Sequence, residues 1–151
     1  MKRAIILDLD NTLLYHTNRN PFNWSDLSGD TIIPEMDFVL DMISQSFDDP
    51  DIIIVTGRPE SVRLQTEEWL IENDVAFTKL YMKQGDPMGK SAPHKELCLN
   101  EIKKDYDFII AFEDDNKCAQ MYVENGVFTL MPLNYKIEHL KLKQQELKFP
   151  E

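Results

Sequence analysis

The sequence predicts an α/β fold, with a mostly parallel sheet carrying helices on its faces. Two observations carry this expectation: short apolar runs alternate with amphipathic stretches, and several of those runs end on acids or on Thr-Gly. A third sets the scale, because 151 residues with 42% hydrophobic content bury one respectable core and hardly two. A single domain over 1–151 is expected.

The first strand is Arg3 to Leu7, an apolar run that reads as buried on both faces and leads straight into Asp8-Leu9-Asp10-Asn11-Thr12. Residues 15–33 follow, the longest irregular stretch, rich in Asn, Ser, Asp and Gly. Long ordered loops in compact domains usually border a site. Pro34 opens a helix with Met36, Val39, Leu40 and Ile43 on its apolar side, since the N–H that proline lacks is not needed in a first turn. A second strand spans Asp51 to Thr56, and Pro59 is expected to open the next helix through Val62, Leu64, Trp69 and Leu70. Thr78 to Met82, Phe108 to Phe112 and Val127 to Leu130 are the remaining strands. Helices from about Pro93 to Lys104 and Asn116 to Asn125 separate them, the latter stopped by Gly126. The tail from Tyr135 to Lys148 places Ile137, Leu140 and Leu147 among lysines and glutamines and reads as a partly exposed amphipathic helix.

No run approaches the roughly 20 apolar residues of a membrane span, and the first residues lack a signal-peptide layout. A cytoplasmic protein is expected. Cys98 and Cys118 form no C-x-x-C pair and read as reduced thiols in helical segments. A formal charge of −11 argues against tight, non-specific nucleic-acid binding, which needs a basic surface, although a local basic pocket stays compatible with it.

The chemistry concentrates where strands end. Asp8 and Asp10 emerge at the carboxyl end of the first strand, the end at which open α/β sheets bind ligands, close enough together to share a divalent cation. The second strand finishes on Thr56-Gly57-Arg58, which offers a hydroxyl, backbone N–H groups and a guanidinium. Such groups hold phosphoryl oxygens as negative charge shifts. Phe108 to Phe112 finishes on Glu113-Asp114-Asp115, where the acids serve either a metal or the start of the next helix. Carboxylates around a phosphate need a fixed cation, for which Lys90 and Lys95 compete.

This order of motifs, D-x-D-x-T, then Thr-Gly-Arg, then Lys, then Glu-Asp, resembles the haloacid dehalogenase (HAD) superfamily of aspartate-nucleophile phosphohydrolases. The narrower likeness is to the 3′-phosphatase domain of phage-type polynucleotide kinase/phosphatase. It rests on Arg19-Asn20-Pro21-Phe22, Ile33-Pro34, Thr56-Gly57-Arg58, Gln84-Gly85-Asp86, and Glu113-Asp114 ahead of Met121-Tyr122 and Gly126. The resemblance implies a HAD-like Rossmannoid fold, with Asp8 as nucleophile and Asp10 as general acid and base. Mg²⁺ would be held by Asp8, the Asp10 carbonyl and an acid of the Glu113-Asp114 pair, with Asp114 favoured. It further implies Thr56 and Lys95 at the phosphoryl group, with Arg19, Arg58 and Gly57 binding substrate. Asn11 stands where glycine is frequent, and Ser91 stands near an expected acid.

The intervals between motifs are too short for a cap domain, so an open site suited to a bulky nucleic-acid end is expected. Phe22 and Trp24 either stack on a base there or pin the loop. The sequence has no P-loop, so the chain is expected to act alone or with a separate kinase or ligase. The expected substrate is a 3′-phosphorylated DNA or RNA end. The alternatives are a small-molecule phosphatase such as a nucleotidase and a non-catalytic HAD-like binding module.

Overall fold

The structure, a computed structural model, describes residues 1–17, 19–46 and 48–132. The tail helix expected over 135–148 lies outside the described residues. Five strands form one sheet: β1 (Arg3–Leu7), β4 (Asp51–Pro59), β5 (Lys79–Lys83), β6 (Phe108–Phe112) and β7 (Phe128–Leu130). The order is β5-β4-β1-β6-β7 and every pairing is parallel. The first strand of the sequence is therefore the central one, and its buried pattern follows from having neighbours on both edges and helices on both faces.

The crossovers explain which helix covers which face. From β1 the chain steps outward through α1 (Pro34–Ser44) to β4 and through α2 (Arg63–Glu72) to β5. It then returns through α3 (Ser91–Ile102) to β6 and through α4 (Asn116–Glu124) to β7. Right-handed crossovers in opposite directions place the two helix pairs on opposite faces. Two core clusters follow. Ala4, Ile6, Ile53, Val55 and Ala111 meet Leu99, Ile102 and Tyr122 on one face, and Leu7, Ile54 and Leu13 meet Met36, Trp69 and Leu70 on the other. The direction of winding reverses at β1, which makes the gap beside its carboxyl end the natural ligand crevice.

Three details depart from the sequence reading. The stretch 15–33 is not wholly irregular: β2 (Leu14–His16) pairs antiparallel with β3 (Asp30–Ile32), so the intervening loop is tied at both ends. Helix α2 does not open at Pro59. Arg58, as the residue before a proline, is biased to extended backbone. Pro59 itself is extended and pairs with Lys83, and a single 3₁₀ turn (Glu60–Val62) delays the helix to Arg63. Leu64 consequently faces solvent, while Thr66, Trp69 and Leu70 point inward. Helix α3 starts two residues earlier than expected, at Ser91. Helix α4 ends before Gly126, whose φ of +77° is the left-handed turn that glycine accepts without strain.

Trp69 also locks the hairpin to the sheet layer, because its indole N–H donates to the Asp30 carbonyl at 2.9 Å from a buried position. Trp69→Phe keeps most of the packing and orphans that carbonyl. A loss of about 1–2 kcal/mol in urea unfolding is expected.

Candidate active site

The register of the central strands builds the site. Leu7 pairs with Phe112, the Asp8 N–H donates to the Phe112 carbonyl at 3.1 Å, and the Glu113 N–H donates to Leu130. Asp8 and Glu113 are thus the first residues past neighbouring strands, at one level. Lys95 reaches them from α3. It is 2% exposed, with Nζ 2.8 Å from Asp8 Oδ1 and 2.6 Å from Glu113 Oε2. Burial opposes the charge of Lys95, yet Asp8 and Glu113 together hold its pKa well above the ordinary lysine value. Burial first, and the Asp8 charge second, push the Glu113 carboxyl up to about 7 while Lys95 pulls against them. Lys90, the other candidate, is exposed at the rim.

The turn after Asp8 is fastened to Leu9, whose carbonyl receives the N–H groups of Thr12, Leu13 and Leu14. Asn11 adopts φ +63°, the left-handed geometry that explains why a non-glycine here is asparagine. The fully buried Thr12 donates its hydroxyl to Asp8 Oδ2 at 3.1 Å, so both oxygens of Asp8 are oriented before any substrate arrives. Thr12, the last residue of the D-x-D-x-T motif, is thus an anchor for Asp8 on the side away from Lys95.

Asp8, Asp10, Gly57, Lys95, Glu113 and Asp114 line one cavity of about 380 Å³. Gly57 approaches α3 so closely that a Cβ would lie 2.7 Å from Ser91 Oγ, which accounts for both small residues. Thr56 lies fully buried beside the cavity. Its hydroxyl accepts the Arg58 N–H at 3.1 Å, and His94 Nε2 lies 3.1 Å from its carbonyl.

Arg19 and Arg58 assemble a second cluster. Arg58 is fully buried and donates from Nε and Nη2 to the two oxygens of Asp10 (3.0 and 2.7 Å), with Nη2 also donating to Asp30 Oδ2 at 2.8 Å. Arg19 grips Asp30 through Nε and Nη2 (2.8 and 2.9 Å) and gathers the loop carbonyls of Pro21 and Asn23. His16 sits 3.3 Å from Asp10 and 3.5 Å from Asp30. The Trp24 ring covers both guanidinium groups at 5.1 and 5.4 Å, so Trp24 pins the loop while Phe22, on the same cavity, stays 63% exposed. Asp30 and His16 were not singled out from sequence. The one signal in the sequence is placement: Asp30 stands, with one residue between, ahead of the apolar pair Ile32-Ile33, and an acid there can answer arginines that a site buries.

Among the described residues, two groups of metal-ligating side chains have oxygens or nitrogens within 4.8 Å of one another: Asp10, His16 and Asp30, and Asp8, Glu113 and Asp114. In the first, guanidinium groups already supply the positive charge. In the second, three carboxylates face one ammonium, and hard oxygen donors with surplus negative charge suit a divalent cation such as Mg²⁺. Glu113 spends one oxygen on Lys95 and the other on the Asp115 N–H at 3.1 Å, just as Asp8 meets Lys95 with one oxygen and Thr12 with the other. Asp115 caps α4, accepting the Cys118 N–H at 2.9 Å.

Known structures place this architecture. The chain is similar to a D,D-heptose 1.7-bisphosphate phosphatase from B. bronchiseptica, complexed with magnesium and phosphate, at 14% identity and TM-score 0.66, covering 100% of this chain and 89% of that one. It is also similar to a haloacid dehalogenase-like hydrolase from Streptococcus pneumoniae at 14% identity and TM-score 0.58, covering 85% and 83%. These likenesses show the fold alone, a mostly parallel α/β sheet flanked by helices. Against family models, residues 2–131 match the polynucleotide kinase PNKP phosphatase domain, and the chain belongs to that HAD phosphatase family. A chain of the Pnkp1/Rnl/Hen1 RNA repair complex is similar at 28% identity and TM-score 0.78 over 87% of this chain. This chain spans 42% of that one, less than half its length. No curated protein matches the chain by sequence. Among the described residues no helix is long and apolar enough to cross a membrane, and nothing between the motifs amounts to a cap domain.

Proposed function

We propose that the chain is a Mg²⁺-dependent polynucleotide 3′-phosphatase that uses Asp8 as its nucleophile. The observation that carries this reading is the Asp8 carboxylate, oriented by Thr12 and Lys95 and facing an uncapped cavity within a PNKP-type phosphatase domain. An Asp8 oxygen attacks phosphorus and the bond to the 3′-oxygen breaks, giving an aspartyl-phosphate. The leaving oxygen takes a proton from Asp10, which then removes one from the water that hydrolyses the intermediate. Asp10 holds Arg58 with both oxygens, so delivering a proton requires it to release one contact and turn into the cavity it lines. Its side-chain exposure of 22% leaves room for that. Lys95 and the Gly57 loop receive the phosphoryl oxygens. Asp8, the Asp10 carbonyl and Asp114 would hold Mg²⁺, whose chemistry is to neutralise phosphoryl charge. The product, a 3′-hydroxyl end, is the substrate class of a ligase, and a ligase or kinase is the partner activity this reading calls for.

Phosphate release tests it, measured with Mg²⁺ and with EDTA on a 3′-phosphorylated oligonucleotide, a 5′-phosphorylated one and both mononucleotides. Release that depends on Mg²⁺ and is confined to 3′-ends is expected. Preference for mononucleotides would favour a small-molecule phosphatase instead, and silence on all four would favour a binding module. Metal binding has a readout independent of turnover. Mg²⁺ at 100 times its Kd should stabilise the wild type by about 2.7 kcal/mol, seen as a rise in Tm. Asp114→Asn should abolish that rise while leaving the metal-free Tm nearly unchanged.

A further inference from the structure

We infer that the nucleic-acid strand leaves the active-site cavity past Lys90 and runs into a second groove between β5 and α3. This inference rests on the polynucleotide reading above. The second groove has a volume of about 540 Å³ and shares Gly89, Lys90 and Pro93 with the active-site cavity, so the two are adjacent, with that short segment at their common edge. Its size falls within the ~300–1,000 Å³ typical of small-ligand sites.

The charges favour a phosphate there. Two acids on the groove are paired with cations, Glu60 with Arg63 at 2.6 Å and Glu101 with Lys104 at 2.7 Å, while Asp86 accepts the Met88 N–H at 2.9 Å and keeps its charge against Lys83 and Lys90 on the same lining. The Lys83 ammonium donates to the Gly89 carbonyl, which ties down the segment between the cavities. Lys90 is exposed at the junction and has no ion-pair or hydrogen-bond partner among the described residues. In a chain of net charge −11, a polyanion is repelled at a distance, and a cation at the exit of the cavity is where one backbone phosphate is neutralised. Half-buried Tyr81 and the exposed Leu97 give the groove an apolar wall for a sugar or base.

The test is steady-state hydrolysis of 3′-phosphorylated mono-, di-, tri- and decanucleotides by the wild type, Lys90→Ala, Leu97→Glu and Lys117→Ala. Lys117 lies on the active-site cavity and not on the second groove. The readout is the ratio of kcat/KM for decanucleotide over mononucleotide, which a general folding defect does not move. The wild-type ratio should be well above one and should fall about fivefold in Lys90→Ala, the effect of roughly 1 kcal/mol of lost phosphate contact. It should fall in Leu97→Glu as well. In Lys90→Ala the slope of log kcat/KM against log salt should shrink by about 0.7, one phosphate's worth for single strands. A wild-type ratio near one overturns the groove. So does a ratio that responds to Lys117→Ala and ignores Lys90→Ala and Leu97→Glu. Turnover of p-nitrophenyl phosphate with none of any 3′-phosphorylated nucleotide overturns the polynucleotide reading and the groove together.

Discussion

Asp8→Asn should leave a folded protein that releases no measurable phosphate, a fall of about 10⁴-fold or more in kcat, the scale on which removing a nucleophile acts. The expectation is sharp because the substitution is nearly isosteric. Thr12 still donates to the remaining oxygen, and Lys95 keeps Glu113 as a counter-charge at 2.6 Å. Circular dichroism and Tm close to wild type, together with the loss of any acid-stable covalent phosphate on the protein, would show that chemistry alone was removed. Retained turnover in a folded Asp8→Asn protein would sink the nucleophile assignment and move attention to Asp10.

Asp30→Asn should be the most destabilising single change in the site region, by about 3–5 kcal/mol, because it breaks a buried ion cluster on one side only. Asp30 has no exposed side-chain surface and answers two arginines, which would be left with the partly exposed Asp10 between them. The pH dependence carries a definite sign. Burial alone would raise the Asp30 carboxyl, but hydrogen bonds from His16 and Arg19 and the charge of Arg58 outweigh it, holding the pKa well below the usual carboxylate range. A depressed folded pKa means that the stabilisation is complete above the unfolded value of about 3.9 and is lost as pH falls through the folded one. The stability gap between wild type and Asp30→Asn, measured by urea unfolding, should therefore be constant near neutrality and close below about pH 4. A gap that instead widened in acid would contradict the ionised cluster.

The parts of this molecule that were legible in the sequence are those governed by periodic burial. The strand bounds Arg3–Leu7 and Phe108–Phe112, and the helix start at Pro34, follow from apolar runs with polar limits. The acids at the ends of β1 and β6 were visible for the same reason, since a buried strand must surface somewhere. What escaped was polar and non-local. Asp30 and His16 look like ordinary loop residues, and only the closing of β2 on β3 delivers them to Asp10 and Arg58. Pro59 carries a helix-start signal that lost to strand pairing with Lys83. Lys90 and Lys95 are equivalent on paper, and depth separates them: Lys95 faces inward from α3 while Lys90 stands exposed just ahead of that helix. Arg19 and Arg58, which the resemblance assigns to substrate, are seen here holding Asp10 and Asp30, so any contact they make with phosphate begins from arginines that are already occupied.

The central position of β1 bears on how the chain folds. Ile5 pairs with Ile52 on one side and Ile110 on the other, so the earliest strand in the sequence has no neighbour until much later residues arrive. Contacts so distant along the chain make for slow collapse and a high contact order. During synthesis β1 is an unpaired, strongly apolar segment with two open edges, the kind of species that chaperones shield. Glu113 joins Asp8 and Lys95 only when β6 docks. A ribosome-bound chain truncated before Phe108 would hold β4, one of the two neighbours of β1, and the helices through α3, yet lack the acids that follow β6.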